Sequence, residues 1–195
     1  MMKKKKARNP LVPHPRDNDP ERLYREWLAE RAAEAENIAE IGVFAGRSTI
    51  RMVEAQGGVG KLWAIDHWQG VPDDQTQHVI YKDLRQTERN FRLRMRPYIK
   101  AGRVQVLKMA SLEGADWVAR NVGPILDLIF LDGDHRYGAL RADIQAWRPL
   151  LRAGGILAGH DYHWPGVKRA VDECLPGFER GPGSVWFKGE LGAGT

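Results

Sequence analysis

Glu40-Ile41-Gly42-Val43-Phe44-Ala45-Gly46-Arg47-Ser48-Thr49 is the stretch on which the fold turns. It reads as a strand running into a glycine loop and then a helix, and Asp66 follows at the end of a second apolar run, Leu62-Trp63-Ala64-Ile65. Gly42 and Gly46 bracket a turn in which missing side chains let the backbone approach a ligand and adopt positive φ. Ser48 or Thr49 is expected to cap the following helix, whose free amide hydrogens and positive end then face the same cleft. A carboxylate at the tip of the second strand is suited to accepting both ribose hydroxyl protons. The spacing is G-x-x-x-G rather than G-x-G-x-x-G, which argues for a loop folded around an uncharged or zwitterionic group instead of a pyrophosphate cradle. A glycine turn alone fits a purely structural strand-to-helix junction equally well. Glu40 and Asp66 beside it shift the reading to a nucleoside site.

On both sides of this stretch the pattern alternates. Asp19-Pro20 supplies a cap and a favourable first residue for a helix that runs through Leu23 and Trp27 to Ala35. Strands are expected over residues 38–42, 62–66, 104–108, 125–131 and 155–158, and helices over 48–56, 77–95, 112–121 and 165–175, the second of these ending before Pro97. Tyr137, Leu140, Ile144 and Trp147 repeat at helical spacing until Pro149. Two short strands close the chain, near Phe178 and over residues 185–187. Strands alternating with helices, apolar enough to be buried on both faces, predict an α/β fold with a parallel sheet covered by helices. In such a sheet ligands sit beyond the carboxyl ends of the strands, near the switch in strand order. That gathers residues 42–46, Asp66, Ser111, residues 132–135 and His160-Asp161 around one cleft. Residues 1–18 read as a flexible basic arm and 19–195 as a single domain, without internal repeat.

Composition narrows the function. The 195 residues are 43% hydrophobic and 28% charged, enough for one full core. No apolar run approaches the roughly 18 residues that span a bilayer, and no apolar segment follows the N-terminal lysines, so a soluble, cytoplasmic protein with no membrane partner is expected. Lys3 to Lys6 supply four of the charges behind a net +5, so the rest of the chain is nearly neutral. A solvated tail is the default reading of such a run, and nucleic acid is not the expected partner. Arg89, Arg92, Arg94 and Arg96, with Phe91 and Tyr98 nearby, read as the exposed face of a helix, with a rim for an acidic substrate as the alternative. Cys174 is the only cysteine, which excludes an internal disulfide and a cysteine-based zinc cluster.

The second half carries the chemistry. Ile129-Phe130-Leu131-Asp132-Gly133-Asp134-His135-Arg136-Tyr137 puts two carboxylates, an imidazole and a phenol directly after a hydrophobic strand, and Gly159-His160-Asp161-Tyr162-His163 does the same after the next. Loop tips on adjacent parallel strands can bring Asp132, His160 and Asp161 together. Oxygen ligands with one imidazole suit Mg²⁺, Mn²⁺ or a similar cation better than a structural zinc. The plainer alternative is that these residues cap helices and bind loop backbone, a role for which Asp134 is the best placed.

From Asn37 to Glu173 the chain resembles the class I S-adenosylmethionine-dependent methyltransferases, and more narrowly the metal-dependent small-molecule O-methyltransferases of the catechol and antibiotic-sugar type. The run L-D-G-D-H-R-Y, the helix ending W-R-P-L-L-R-A-G-G, and G-H-D-Y carry the resemblance more specifically than the glycine loop does. It implies a Rossmann-like three-layer α/β/α sandwich with a mostly parallel seven-stranded sheet. It also implies an S-adenosylmethionine site made by Glu40, Gly42, Phe44, Gly46, Ser48, Asp66, His67, Trp68, Ser111 and Asp132, with Asp66 on the ribose and Ser111 near adenine. In the catechol enzymes the metal is held by an aspartate after the fourth strand and an Asp-Asn pair after the fifth, with a catalytic lysine three residues past the first aspartate. The matching positions are Asp132, His160-Asp161 and His135, so a Mg²⁺ or other divalent-cation site of Asp132, His160 and Asp161 is implied, with His135 as general base. Histidine, with a reference pKa near 6.5, is a competent base at neutral pH.

The implied reaction is methyl transfer to a hydroxyl of a small molecule such as a sugar or secondary metabolite. Trp68, Tyr81, Tyr162, His163 and Trp164 are candidates for the acceptor rim, though large aromatic residues more commonly pack cores and lids. The aromatic rim and the N-terminal helix favour a homodimer. The rival readings are a nucleic-acid or protein methyltransferase, a nicotinamide-dependent oxidoreductase on a similar sheet, and a non-enzymatic binding module.

Overall fold

The structure, a computed structural model, describes residues 21–71 and 83–189. Helix α1 (Arg22–Ala32) precedes an alternating series: β1 (Asn37–Ile41), α2 (Arg47–Ala55), β2 (Lys61–Ile65), α3 (Leu84–Lys100), β3 (Val104–Leu107), α4 (Ser111–Asn121), β4 (Leu126–Leu131), α5 (Tyr137–Trp147), β5 (Leu151–Gly159) and α6 (Pro165–Cys174). A 3₁₀ turn, Arg148–Leu150, joins α5 to β5, and the short strands β6 (Glu179–Arg180) and β7 (Trp186–Gly189) follow. The seven strands form one sheet in the order β3-β2-β1-β4-β5-β7-β6. β1 to β5 pair in parallel, and β7 is antiparallel to both β5 and β6.

The period-2 alternation of side chains assigns each strand residue to one of two cores. Ile38, Leu62, Leu128 and Phe130 pack under α1, α2 and α3, while Ala39, Ile41, Ile129 and Leu131 pack under α4, α5 and α6. At the amino ends of the strands, Asp127 Oδ2 accepts from the amides of Glu36 and Asn37 at 3.0 and 2.7 Å and so locks β4 to β1. The carboxyl ends stay open for ligand. The order reverses between β1 and β4, which leaves the switch-point crevice between Gly42 and Asp132.

Three sequence expectations are corrected. α2 is not capped by Ser48 or Thr49: Gly46, at φ 74°, takes the N-cap position with no side-chain cap. α3 does not stop before Pro97 but runs through it to Lys100, with Asp83 as its N-cap, whose carboxylate accepts from the Gln86 amide at 2.9 Å. Proline is tolerated because Pro97 and Leu93 both face solvent, so water can serve the Leu93 carbonyl that loses its amide partner. α1 ends at Ala32 rather than Ala35, in a tightened turn in which the Glu34 and Ala35 amides reach Arg31 and Ala32. The Asp19-Pro20 cap, the basic arm, Tyr81 and residues 77–82 lie outside the described residues.

Candidate active site

The glycine loop is shaped by close approach. A Cβ on Gly42, at φ 85°, would lie 2.2 Å from the Asp132 carbonyl oxygen, and one on Gly46 would lie 2.7 Å from the Phe91 ring. Beneath the loop, fully buried Glu40 accepts from the Ser48 hydroxyl, tying the first turn of α2 to β1. Burial pushes the Glu40 carboxyl up to about 8, against the opposing pull of the Ser48 hydrogen bond. Its Oε2 has no hydrogen-bond partner among the described residues. Glu40 and Ser48 therefore support the loop from below, whereas Gly42 and Phe44 line the cavity above it.

Asp66 joins two loops. Its Oδ2 accepts from the Phe44 amide at 2.9 Å and its Oδ1 from the Trp68 amide at 2.7 Å, and the Trp68 indole closes the ring by donating to the Phe44 carbonyl at 2.9 Å. Phe44 and Trp68 hold positive φ angles of 46° and 50°, strain that these bonds maintain. Burial raises the Asp66 pKa, and the two amides oppose it. Asp66 lines a cavity of about 330 Å³, within the range of roughly 300–1,000 Å³ typical of small-ligand sites, and each carboxylate oxygen can accept a second hydrogen bond. His67 lines the same cavity and accepts from the Gln69 amide through Nδ1 at 2.9 Å. Trp68 contributes to its wall while its ring packs against Phe91.

Past β3, Ser111 lines the cavity at the start of α4. Its Oγ accepts from the Trp147 indole at 2.9 Å, and its hydroxyl bonds to Asp143. Asp143 is not among the residues that the sequence singles out. Its signal was a carboxylate on the inward stripe of α5, one turn before Trp147. Past β4, Asp132 lines the cavity beside Gly42.

Asp132 also belongs to a second group. One ligand atom from each of Asp132, His135 and Asp161 lies within 4.8 Å of the other two. His135 Nε2 is 2.9 Å from Asp161 Oδ2, yet it makes no aligned hydrogen bond and is buried. His160 joins from the side, with Nδ1 3.3 Å from Asp161 Oδ1 and 3.9 Å from Asp132 Oδ1. Its Nε2 is 3.0 Å from Ser184 Oγ, its ring packs 4.2 Å from that of Tyr24, and its carbonyl accepts from the Trp186 indole. Asp161 sits at φ 58°, unusual for a non-glycine residue, which turns its carboxylate toward both imidazoles. Burial raises the Asp161 pKa, but the adjacent His135 and His160 imidazoles outweigh it and hold the group well below its ordinary value. Burial pushes Asp132 up to about 7. For His135 and His160 burial lowers the pKa, but Asp161 and Asp132 override it and the net shift is upward.

All four expected residues after β4 and β5 thus converge, with His135 in the tight threesome and His160 at its flank. Asp132, Asp161 and the two imidazoles form a mixed oxygen and nitrogen donor set that fits a divalent cation, and His135 Nε2 has no aligned hydrogen bond among the described residues. Asp134 instead accepts from Arg136, through its amide at 2.9 Å and its guanidinium. Among the rim candidates, Trp164 stacks on His135 with ring centroids 5.6 Å apart, and His163 is exposed beside it. Tyr162 turns away: its hydroxyl donates to Asp172 at 2.6 Å and its ring lies under Arg180, because the left-handed Asp161 redirects the chain. Tyr24 and Ser184, which fix His160, gave no sequence signal, since they reach it from α1 and from the loop before β7.

A methyltransferase-domain family model matches residues 39–162. No curated protein matches the chain. Among solved structures, a calicheamicin methyltransferase is similar at 18% identity and a TM-score of 0.63, covering 89% of this chain and 78% of that one. The O-methyltransferase TomG from Streptomyces achromogenes, involved in tomaymycin synthesis and bound to S-adenosylmethionine, is similar at 18% identity and TM-score 0.63, with 87% and 80% covered. An O-methyltransferase from Bacillus cereus, in complex with S-adenosylhomocysteine, is similar at 17% identity and TM-score 0.61, with 89% and 83% covered.

Proposed function

The chain belongs to the methyltransferase-domain family and is an S-adenosylmethionine-dependent enzyme, and on that premise we propose that it methylates a hydroxyl oxygen of a small molecule with the help of a divalent cation. The observation that carries this reading is that Asp132 faces both the cofactor cavity and the cluster with His135 and Asp161. A methyl donor and an acidic and imidazole group thus share one wall.

S-adenosylmethionine, when bound, supplies an electrophilic methyl group, so the acceptor needs a deprotonated oxygen aligned with it. A divalent cation, when bound at Asp132, Asp161 and His160, supplies positive charge that lowers the pKa of the acceptor hydroxyl. His135 takes the hydroxyl proton, and Asp161 Oδ2, 2.9 Å from its Nε2, stabilises the resulting imidazolium. Trp164, stacked on His135, limits where that imidazole can swing. Gly42 and Phe44 hold the donor end, and Asp66 accepts from the ribose hydroxyls. Positioning and electrostatics supply the acceleration; no covalent enzyme intermediate is required.

A sugar or secondary-metabolite acceptor is supported by the calicheamicin and tomaymycin enzymes among the fold neighbours. A nucleic-acid or protein acceptor gains little from the basic stretch on α3: Arg92 pairs with Glu88 at 2.9 Å and Arg94 donates to the Ala45 carbonyl at 2.6 Å. A second reading of His135 has one observation in its favour, since one of its ring nitrogens lies within 4.8 Å of an oxygen of each aspartate; there it would be a metal ligand instead of a base.

The test is calorimetric titration with S-adenosylmethionine, then methyl transfer to a panel of sugars and phenols with Mg²⁺, Mn²⁺ or chelator. Transfer that chelator abolishes and metal restores is expected; full transfer under chelator would remove the cation from the proposal. His135→Ala is expected to lose turnover at least a hundredfold with metal affinity kept, whereas a parallel loss of metal affinity would make His135 a ligand.

A further inference from the structure

The turn between β1 and α2 is gripped from outside the cavity as well as lined from within it. Helix α3 lies directly behind it: a Cβ on Gly46 would come within 2.7 Å of the Phe91 ring and 3.3 Å of the Met95 methyl. Phe91 and Met95 are fully buried, so this stretch of α3 is anchored in the core. Arg94 stands between them in sequence on the exposed side of the helix, and its Nη1 donates to the Ala45 carbonyl at 2.6 Å.

That bond completes the restraint of the turn. The Phe44 amide is held by Asp66 and the Phe44 carbonyl by the Trp68 indole, each at 2.9 Å. In the next peptide unit the Gly46 amide donates to the Val43 carbonyl at 2.7 Å, and the Ala45 carbonyl is the atom that Arg94 holds. Both peptide planes that flank Ala45 are therefore fixed, between two residues in the left-handed region, Phe44 at φ 46° and Gly46 at φ 74°. Backbone in such sparsely populated regions persists only where its surroundings over-determine it.

The charge of Arg94 sits where it costs stability. It lies at the amino end of α2, whose macrodipole disfavours a cation, and the first turn of α2 carries no acidic residue to compensate. Arg94 forms no ion pair among the described residues, whereas Arg92 pairs with Glu88 at 2.9 Å. Against that cost stands the charge-assisted bond to the turn, which is stronger than a bond between neutral groups.

We propose that Arg94 is a positioning residue for the cofactor: by holding the Ala45 carbonyl it keeps the turn, before ligand arrives, in the shape that receives the amino-acid end of the methyl donor. The proposal rests on the cofactor reading above and adds to it a residue of α3 that is not part of the cavity lining. A turn already held in its binding shape loses less conformational freedom when the ligand enters, so the effect of Arg94 is on affinity.

The experiment is calorimetric titration of S-adenosylhomocysteine, and of 5′-methylthioadenosine, which lacks the amino-acid end, into wild type, Arg94→Ala and Arg94→Lys. Thermal melting of all three ligand-free proteins accompanies it. Arg94→Ala is expected to keep its melting temperature, to bind S-adenosylhomocysteine roughly fivefold or more weakly, and to lose less than about twofold for methylthioadenosine. Arg94→Lys, which keeps a charged donor, is expected to recover part of the lost affinity. Unchanged S-adenosylhomocysteine binding by folded Arg94→Ala overturns the proposal. So does equal weakening of both ligands, which would make Arg94 a general support of the fold, and so does a lysine variant that binds no better than alanine. If Arg94→Ala fails to fold, Arg94→Lys carries the same comparison of the two ligands against wild type; if both fail to fold, the role is structural and the proposal falls. A wild type that does not bind S-adenosylhomocysteine removes the cofactor reading itself, an outcome visible before any variant is made.

Discussion

At Glu40 a carboxylate is removed from water and compensated mainly by the Ser48 hydroxyl. Its ordinary pKa of 4.5 is pushed up to about 8 by burial. Between those two values the folded chain keeps a proton that the unfolded chain has released. Stability from this residue is therefore greatest below about pH 4.5, falls as pH rises, and reaches its full penalty above about pH 8. Glu40→Gln keeps an acceptor for Ser48 and removes the charge. Its melting temperature relative to wild type is expected to increase from pH 5 to pH 9 by differential scanning calorimetry; a difference that does not change with pH would refute the buried-carboxylate account. Glu40 and Asp66 were legible in the sequence as acidic residues flanking a glycine turn. What was not legible is their division of labour: Glu40 is buried and bonded to Ser48 beneath the loop, and the carboxylate after β2 lines the cavity.

α3 shows the same limit at the scale of an element. Pro97 signals a stop because its ring removes an amide and crowds the preceding turn. The helix nevertheless continues, because Met95 is fully buried and Tyr98 and Ile99 pack against the same core as Phe91, and that burial offsets a proline whose crowded turn faces water. Pro97→Ala restores a donor to the Leu93 carbonyl, and is expected to stabilise the protein by about 1–2 kcal/mol once the freer unfolded chain is discounted. Urea unfolding measures this; no gain would mean that the helix geometry around Pro97 is already relaxed. The other elements were placed within one or two residues, apart from an earlier start to β5 and shorter α1. Their apolar periods, set by burial on both faces of the sheet, leave little freedom.

Across the whole molecule, the ligand edge draws on the ends of β1 to β5, so its parts come from segments up to 119 positions apart, Gly42 to Asp161. Binding to such a site stabilises the domain as a unit. S-adenosylhomocysteine at a hundred times its dissociation constant is expected to raise the melting temperature by roughly 5–10 °C in a single transition. A shift confined to one of two transitions would show that the two halves of the sheet unfold separately. No described helix is long and apolar enough to cross a membrane.

The sequence by itself determined the α/β class, the glycine turn, the acid after the second strand and the two chemical loops, because these are local: a period of burial, a missing Cβ, a polar cluster after an apolar strand. Only the tertiary structure decided that Asp143 reaches the cavity through Ser111 and Trp147, that Tyr24 and Ser184 fix His160, and that Tyr162 leaves the rim. Those assignments depend on which helix faces lie against which strand ends, and on a left-handed turn at Asp161. They are fixed by packing between distant segments, which no local pattern encodes.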